Sequence, residues 1–164
     1  MKLYTKFSCW NDHTHVGNIG WLEDVQALHE YDNRIIRVDS VKKANTILTI
    51  NMEKLDIECT LFEYVSLKKP DYNFMNYIIA EYIDIFSSFF KFSRQRYNCN
   101  KVFYHHDYTI DNVVITKDKK IKVIDLEDMR YMSEDNCYRY WFGKYHDGLS
   151  LLSGAVFYAK NGPK

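Results

Sequence analysis

Apolar residues first recur with a helical period in "WLEDVQALHEY" (21–31), where Leu22, Val25, Leu28 and Tyr31 fall at three-residue intervals and predict a short amphipathic helix. The segments "RIIRVDSV" (34–41), "NTILTINM" (45–52) and "IECTLFEYVSL" (57–67) are rich in Ile, Val, Thr and aromatics between short polar connections. They predict two or three antiparallel strands. The opening "MKLYTKF" has the same strand character. Beyond Pro70, Asp71 is placed to cap a helix. Phe74, Tyr77, Ile78, Tyr82, Ile85, Phe86, Phe89 and Phe90 then recur at three- and four-residue spacing as far as about Phe92, which predicts a long, largely buried helix. "KVFYHH", "NVVIT" and "KIKVIDL" follow, the last two joined by Lys-Asp-Lys-Lys (117–120) as a β-hairpin. From Ser133 to Ala159 aromatics mix with Gly143, Gly148 and Gly154, which predicts only weak helices.

Composition narrows the class. The chain has 164 residues, the length of one domain with a real core, and 46% hydrophobic with 16% aromatic residues is too apolar for a disordered chain. Lys plus Arg and Asp plus Glu both total 22, so no global charge argues for nucleic acid or an acidic membrane. The four cysteines, Cys9, Cys59, Cys99 and Cys137, form no C-x-x-C pair. Reduced thiols in a cytoplasmic setting are the expectation. The apolar run at 74–92 is broken by Asn76, Glu81, Asp84, Ser87, Ser88 and Lys91, so no transmembrane segment is expected.

The chemistry concentrates in "YHHDYTIDN" (104–112). A hairpin brings its second strand back beside its first, so Asp125, at the end of "KIKVID", returns near Asn112, which opens "NVVIT". Asp107, Asn112 and Asp125 thereby converge. Carboxylate and carboxamide oxygens are hard ligands suited to Mg²⁺ when phosphates supply the remaining positions. A neighbouring carboxylate, Asp107, is then available to orient or deprotonate a hydroxyl.

His105, Asp107 and Asn112 match H-x-D-x-x-x-x-N, and an apolar strand ending in Asp125 follows. This resembles the catalytic core of the protein-kinase-like fold. Ile124-Asp125-Leu126-Glu127-Asp128, with Thr109 two positions after the loop aspartate, is closer in style to aminoglycoside, choline and lipopolysaccharide-sugar kinases than to Ser/Thr protein kinases. The resemblance implies an α+β fold, a reduced kinase-like domain over 1–164. Residues 1–66 would form a trimmed sheet lobe, and 67–164 a trimmed helical lobe carrying the catalytic loop and hairpin. It implies ATP and Mg²⁺ as cofactors and a hydroxyl-bearing acceptor. Asp107 resembles the catalytic base and His105 the histidine that braces the loop, while Asn112 and Asp125 look like the metal ligands. "CTLFEYV" (59–65) looks like the strand and hinge between lobes, with backbone at Glu63 and Val65 meeting adenine.

Other family features match less well. "HVGNIG" (15–20) offers only Gly17 and Gly20 for a phosphate-cradling loop, and there is no P-loop motif. Arg37, Lys42 and Lys43 are the candidates for the phosphate-contacting strand cation, with Glu23 or Glu30 as its partner. Thirty-six residues follow Asp128. Acceptor recognition then falls to the aromatic tail (Tyr138, Tyr140, Trp141, Phe142, Tyr145), to a second copy in a homo-oligomer, or to nothing. Two kinase-like alternatives stand beside a small-molecule kinase: a protein kinase, and a catalytically silent nucleotide- or partner-binding module. A metal phosphohydrolase using His13, His15 or His29 fits the strand–loop context of His105-Asp107 poorly.

Overall fold

The computed structural model describes residues 3–9, 20–45, 47–67, 71–97 and 101–161, and among these described residues are three small antiparallel sheets and four α-helices. The first sheet has the order β1 (Leu3–Cys9), β3 (Ile47–Glu53), β2 (Val38–Ala44). β1 runs flush along β3 from Leu3 opposite Glu53 to Cys9 opposite Ile47. Helix α1 (Trp21–Tyr31) has the predicted bounds and buries Trp21, Asp24, Val25 and Leu28 on one face. Gly20 precedes it at φ +89°, a conformation that L side chains rarely adopt. Gly17, His13, His15 and Pro70 lie outside the described residues.

The predicted strand 34–41 is displaced. Residues 34–37 instead form a strip along β7 (Ile121–Val123), and β2 begins at Val38. Ile36 N–H donates to Val123 O at 2.9 Å and Val123 N–H to Arg34 O at 2.8 Å.

The strand predicted over 57–67 is corrected more sharply. Only Ile57–Thr60 is strand (β4), and Leu61–Leu67 is helix α2. Thr60 Oγ1 accepts from Glu63 N–H at 3.1 Å, and Glu63 Oε2 accepts from Thr60 N–H at 2.8 Å. This reciprocal capping box satisfies two donors that a new helix leaves unpaired, and it outweighs the β-propensity of Phe62, Tyr64 and Val65.

Asp71 caps α3 (Tyr72–Tyr97) through Phe74 N–H to Oδ1 at 2.8 Å, and the helix outruns its apolar stripe to end on Arg94 and Arg96, cations suited to a helix C-terminus. A second sheet has the order β4, β6 (Val113–Thr116), β7, and contains the predicted hairpin. A third pairs β5 (Lys101–His105) with β8 (Met129–Ser133), a strand the periodicity did not announce.

The weak helices expected near the C-terminus are one helix, α4 (Glu134–Asn161). Gly148 does not break it, because the glycine faces α3: a Cβ there would lie 2.7 Å from Tyr82 Oη. The core is continuous, running from Trp21 and Leu28 through Ile78, Tyr82 and Phe89 to Val113, Val123 and Leu152. Among the described residues no helix is long and apolar enough to cross a membrane.

Candidate active site

The loop 106–112 starts where β5 ends and stops where β6 begins, so both ends are held by sheets. His106 N–H donates to Asp128 O at 2.9 Å, which fixes the loop against the turn that follows Asp125. Tyr108, the residue after Asp107, points into the core. Its hydroxyl donates to Tyr82 O at 3.0 Å, Tyr82 Oη donates to Tyr108 O at 3.3 Å, and the rings stack at 4.6 Å. Burial pushes both phenols up, so they stay neutral. The chain leaves this anchor with Asp107 on the loop's outer side, half-buried.

His105 is fully buried and joins two segments. Asp107 N–H donates to His105 Nδ1 at 3.2 Å, so Nδ1 is an acceptor and the ring proton sits on Nε2, which donates to Ile124 O at 2.9 Å. Burial, against the weaker pull of Ile124 O and nearby Asp125 and Asp107, holds its pKa below the usual imidazole value. The histidine is thus a neutral strut between the loop and the residue before Asp125.

Asn112 Nδ2 donates to Asp107 O at 2.8 Å and to Asp107 Oδ2 at 3.1 Å. Both contacts use the amide nitrogen, which leaves Oδ1 as the side chain's acceptor. Asn112 O accepts from Ile124 N–H at 2.9 Å, so Asp125 sits one residue past a hydrogen-bonded pair. Asp125 has φ 63° and ψ 44°, left-handed backbone that aspartate adopts more readily than most residues. That turn separates β7 from the single 3-10 turn Leu126–Asp128 and points Asp125 away from the strand's course.

The cation facing Asp125 is Lys6 of β1, which the sequence reading passed over. Lys6 Nζ pairs with Asp125 Oδ1 and lies 2.8 Å from Glu127 Oε1. Burial works against the ammonium charge, but the two carboxylates outweigh it and hold the Lys6 pKa above its usual value. Burial raises Glu127, further lifted by the neighbouring Asp125, to about 7. Asp125 is driven the other way: its burial is outweighed by hydrogen bonds with Glu127 and Lys6, so it stays ionised.

Lys6 and Asp125 line a cleft of about 480 Å³, a size typical of small-ligand sites. Tyr4, Ile36, Met52, Leu55, Ile57 and Ile124 make its apolar walls. Glu53 at the end of β3 and Lys54 and Leu55 of the connector to β4 also line it. Glu53 is tied to Lys122 at 3.0 Å and to Arg37 N–H at 3.1 Å, whereas Lys54 and Leu55 have no hydrogen-bond partner among the described residues.

The other predicted nucleotide residues do not line this cleft. Glu63 is spent on its capping box. Val65 lies on a groove between α2 and α4 with Phe62, Ile110 and Leu151. Arg37 pairs with Asp39, and Lys42 is exposed on β2 opposite Thr49. Lys43 is also exposed, as are Glu23 and Glu30 on α1. Lys6 was not found from the sequence because its partner is 119 positions away; the available signal was one lysine within the strand LYTKFSC. Of the aromatic tail, Tyr145 packs on Phe86 at 3.8 Å as part of the α3–α4 contact. The side chains of Tyr138, Tyr140, Trp141 and Phe142 lie outside the described residues. His29 is engaged through Nδ1 with Ile35 O at 2.7 Å, and no cluster of three or more His, Cys, Asp or Glu suited to a metal ion exists among the described residues.

Neither a protein-family model nor a curated protein sequence matches the chain. Among solved structures it is similar to the Cydia pomonella granulovirus kinase PK-1, with a TM-score of 0.55 at 17% identity over 78% of this chain. The match covers 43% of that kinase, so the chain spans less than half its length. The arrangement of a small antiparallel sheet, a long helix, a polar loop and a hairpin ending in aspartate is a protein-kinase-like fold.

Proposed function

We propose that the chain is an ATP- and Mg²⁺-dependent phosphotransferase that transfers the γ-phosphate to a hydroxyl of a small molecule, sugar or glycan, with residues 1–164 acting as one kinase-like unit. The observation that carries this reading is that Lys6 and Asp125 pair on the lining of an apolar cleft, while Asn112, hydrogen-bonded to Asp107, accepts from the backbone N–H of Ile124, the residue before Asp125. Its walls suit a purine, and the unpaired backbone of Lys54 and Leu55 is available to the purine edge. Lys6 supplies a cation for the phosphates. Asp107, held by Asn112 Nδ2, accepts or aligns the acceptor's hydroxyl proton.

The donor set fits Mg²⁺: Asn112 Oδ1 and the ionised Asp125 are hard oxygens, and Glu127 Oε2 is buried with no hydrogen-bond partner among the described residues. Asn112 and Asp125 would hold the ion, which supplies neutralisation of phosphate charge. Catalysis then consists mainly of positioning and charge stabilisation. The small-molecule acceptor is favoured by the Ile124-Asp125-Leu126-Glu127 segment and by Thr109.

The test is ATP turnover over an acceptor panel. Asp107→Ala is expected to lower turnover by about 10²-fold or more while ATP binding persists. Asp125→Asn is expected to lose turnover with the fold retained. ATP left intact by the wild-type protein across sugars, amino alcohols and protein substrates would overturn the reading. A silent nucleotide-binding module is the second reading, favoured by the ion pair that Lys6 makes with Asp125, which occupies a proposed metal ligand. Thermal stabilisation by ATP/Mg²⁺ without turnover would select it.

A further inference from the structure

Lys6 is held without help from the helix beside its sheet. On α1, Glu23 and Glu30 are exposed, and the buried carboxylate of that helix, Asp24, is engaged elsewhere: it accepts from Arg96 Nε of α3 and from Tyr131 Oη of β8. The carboxylates that meet Lys6 come from the segment directly after β7, Asp125 and Glu127.

These two are not equivalent. The Asp125 side chain is 42% exposed, that of Glu127 only 12%. Glu127 is also fixed more firmly, since it sits in the middle of the 3-10 turn whose first residue, Leu126, is buried at 2% exposure. Glu127 Oε1 lies 2.8 Å from Lys6 Nζ in this enclosed setting, and a carboxyl oxygen accepts that hydrogen bond whether or not the group's other oxygen carries a proton, so it orients the ammonium away from competing water. When Asp125 turns to other partners, Glu127 is what remains to keep Lys6 at the cleft mouth.

We propose that Glu127 is the positioning residue for Lys6, in place of any carboxylate of α1. This rests on the reading of the cleft as a nucleotide site, and it ties the phosphate-facing lysine to the same turn that carries Asp125. Lys6 and Asp125 therefore keep a constant spacing whatever α1 does.

The experiment compares Glu127→Gln and Glu127→Asp with Glu23→Gln, Glu30→Gln and Lys6→Met in the full chain. Glu127→Gln is expected to weaken ATP binding about tenfold, the scale of one charged hydrogen bond, with adenosine affinity unchanged. Glu127→Asp should recover part of the loss, and Lys6→Met/Glu127→Gln should be no worse than Lys6→Met alone. The α1 variants should match wild type. In parallel, mass-spectrometric labelling of Lys6 by an amine-reactive reagent, without nucleotide, should change severalfold in Glu127→Gln and not in Glu23→Gln or Glu30→Gln. Unchanged Lys6 labelling in Glu127→Gln, or an equal effect from an α1 variant, overturns the proposal. If wild type binds no ATP, the nucleotide reading fails, and the labelling still decides the Lys6–Glu127 pairing. If Glu127→Gln does not fold, Glu127→Asp carries both readouts.

Discussion

His105 shows how one side chain can be structural and sit beside the candidate site at the same time. Its ring spends both nitrogens on backbone, one on Asp107 N–H and one on Ile124 O, so it has none left for a substrate. Because burial keeps the folded pKa below the ordinary value, the unfolded chain binds the proton first as pH falls. Stability is therefore complete above the unfolded value and declines as pH drops through it toward the folded value, by up to about 1.4 kcal/mol per pH unit. Denaturation midpoints measured from about pH 7.5 down to 5 should show this slope in wild type and a shallower one in His105→Gln. The nearness of Asn112 to Asp107 and to the residue before Asp125 was legible in the sequence, because these positions lie on one loop and the hairpin that follows it. Lys6 was not legible, since nothing local to residue 6 records a partner brought in by tertiary packing. The αL backbone of Asp125 adds a practical point: Asn tolerates that conformation and Ala does not, so Asp125→Asn isolates the charge.

At the scale of elements, two stretches misled a reading by propensity and periodicity. In 57–67 the apolar and aromatic residues favour a strand, yet the T-x-x-E spacing of Thr60 and Glu63 starts a helix, and that signal was present in the sequence. Thr60→Ala should cost about 1 kcal/mol in urea unfolding through loss of this cap. In α4, glycines looked like breaks, and only the packed structure separates their roles. Gly148 lets α4 approach Tyr82, whereas a Cβ on Gly154 meets nothing within 4 Å. Gly148→Val should destabilise by roughly 1–3 kcal/mol through overpacking against Tyr82, while Gly154→Ala should stabilise by about 0.5–1 kcal/mol through helix propensity. Thermal melts of the two variants should move in opposite directions. α1 and the β6–β7 hairpin formed where their patterns placed them, although α1 buries Trp21 and Asp24 beside Val25 and Leu28 and leaves Tyr31 exposed.

For the whole molecule, the fold class was readable from element order, but the way the sheets are joined was not. The joint is the strip 34–37. It bonds along β7, Glu53 N–H of β3 donates to Arg37 O at 2.9 Å, and Arg34 reaches Asp32, Glu81 and Asp84 at 2.7 to 2.9 Å. Arg34 is mostly enclosed and serves three carboxylates, so Arg34→Met should cost about 3 kcal/mol and lower the melting temperature by several degrees. The same strip carries a consequence for amide hydrogen exchange. Ile36 and Val123 donate to each other's strands in the middle of the core, so their amides should be released only when the entire chain unfolds. Amides of β1, which pairs with β3 alone among the described residues, should exchange through a lower-energy opening. Any opening of the cleft would then come from the β1 side, while the wall that Ile36 contributes stays fixed.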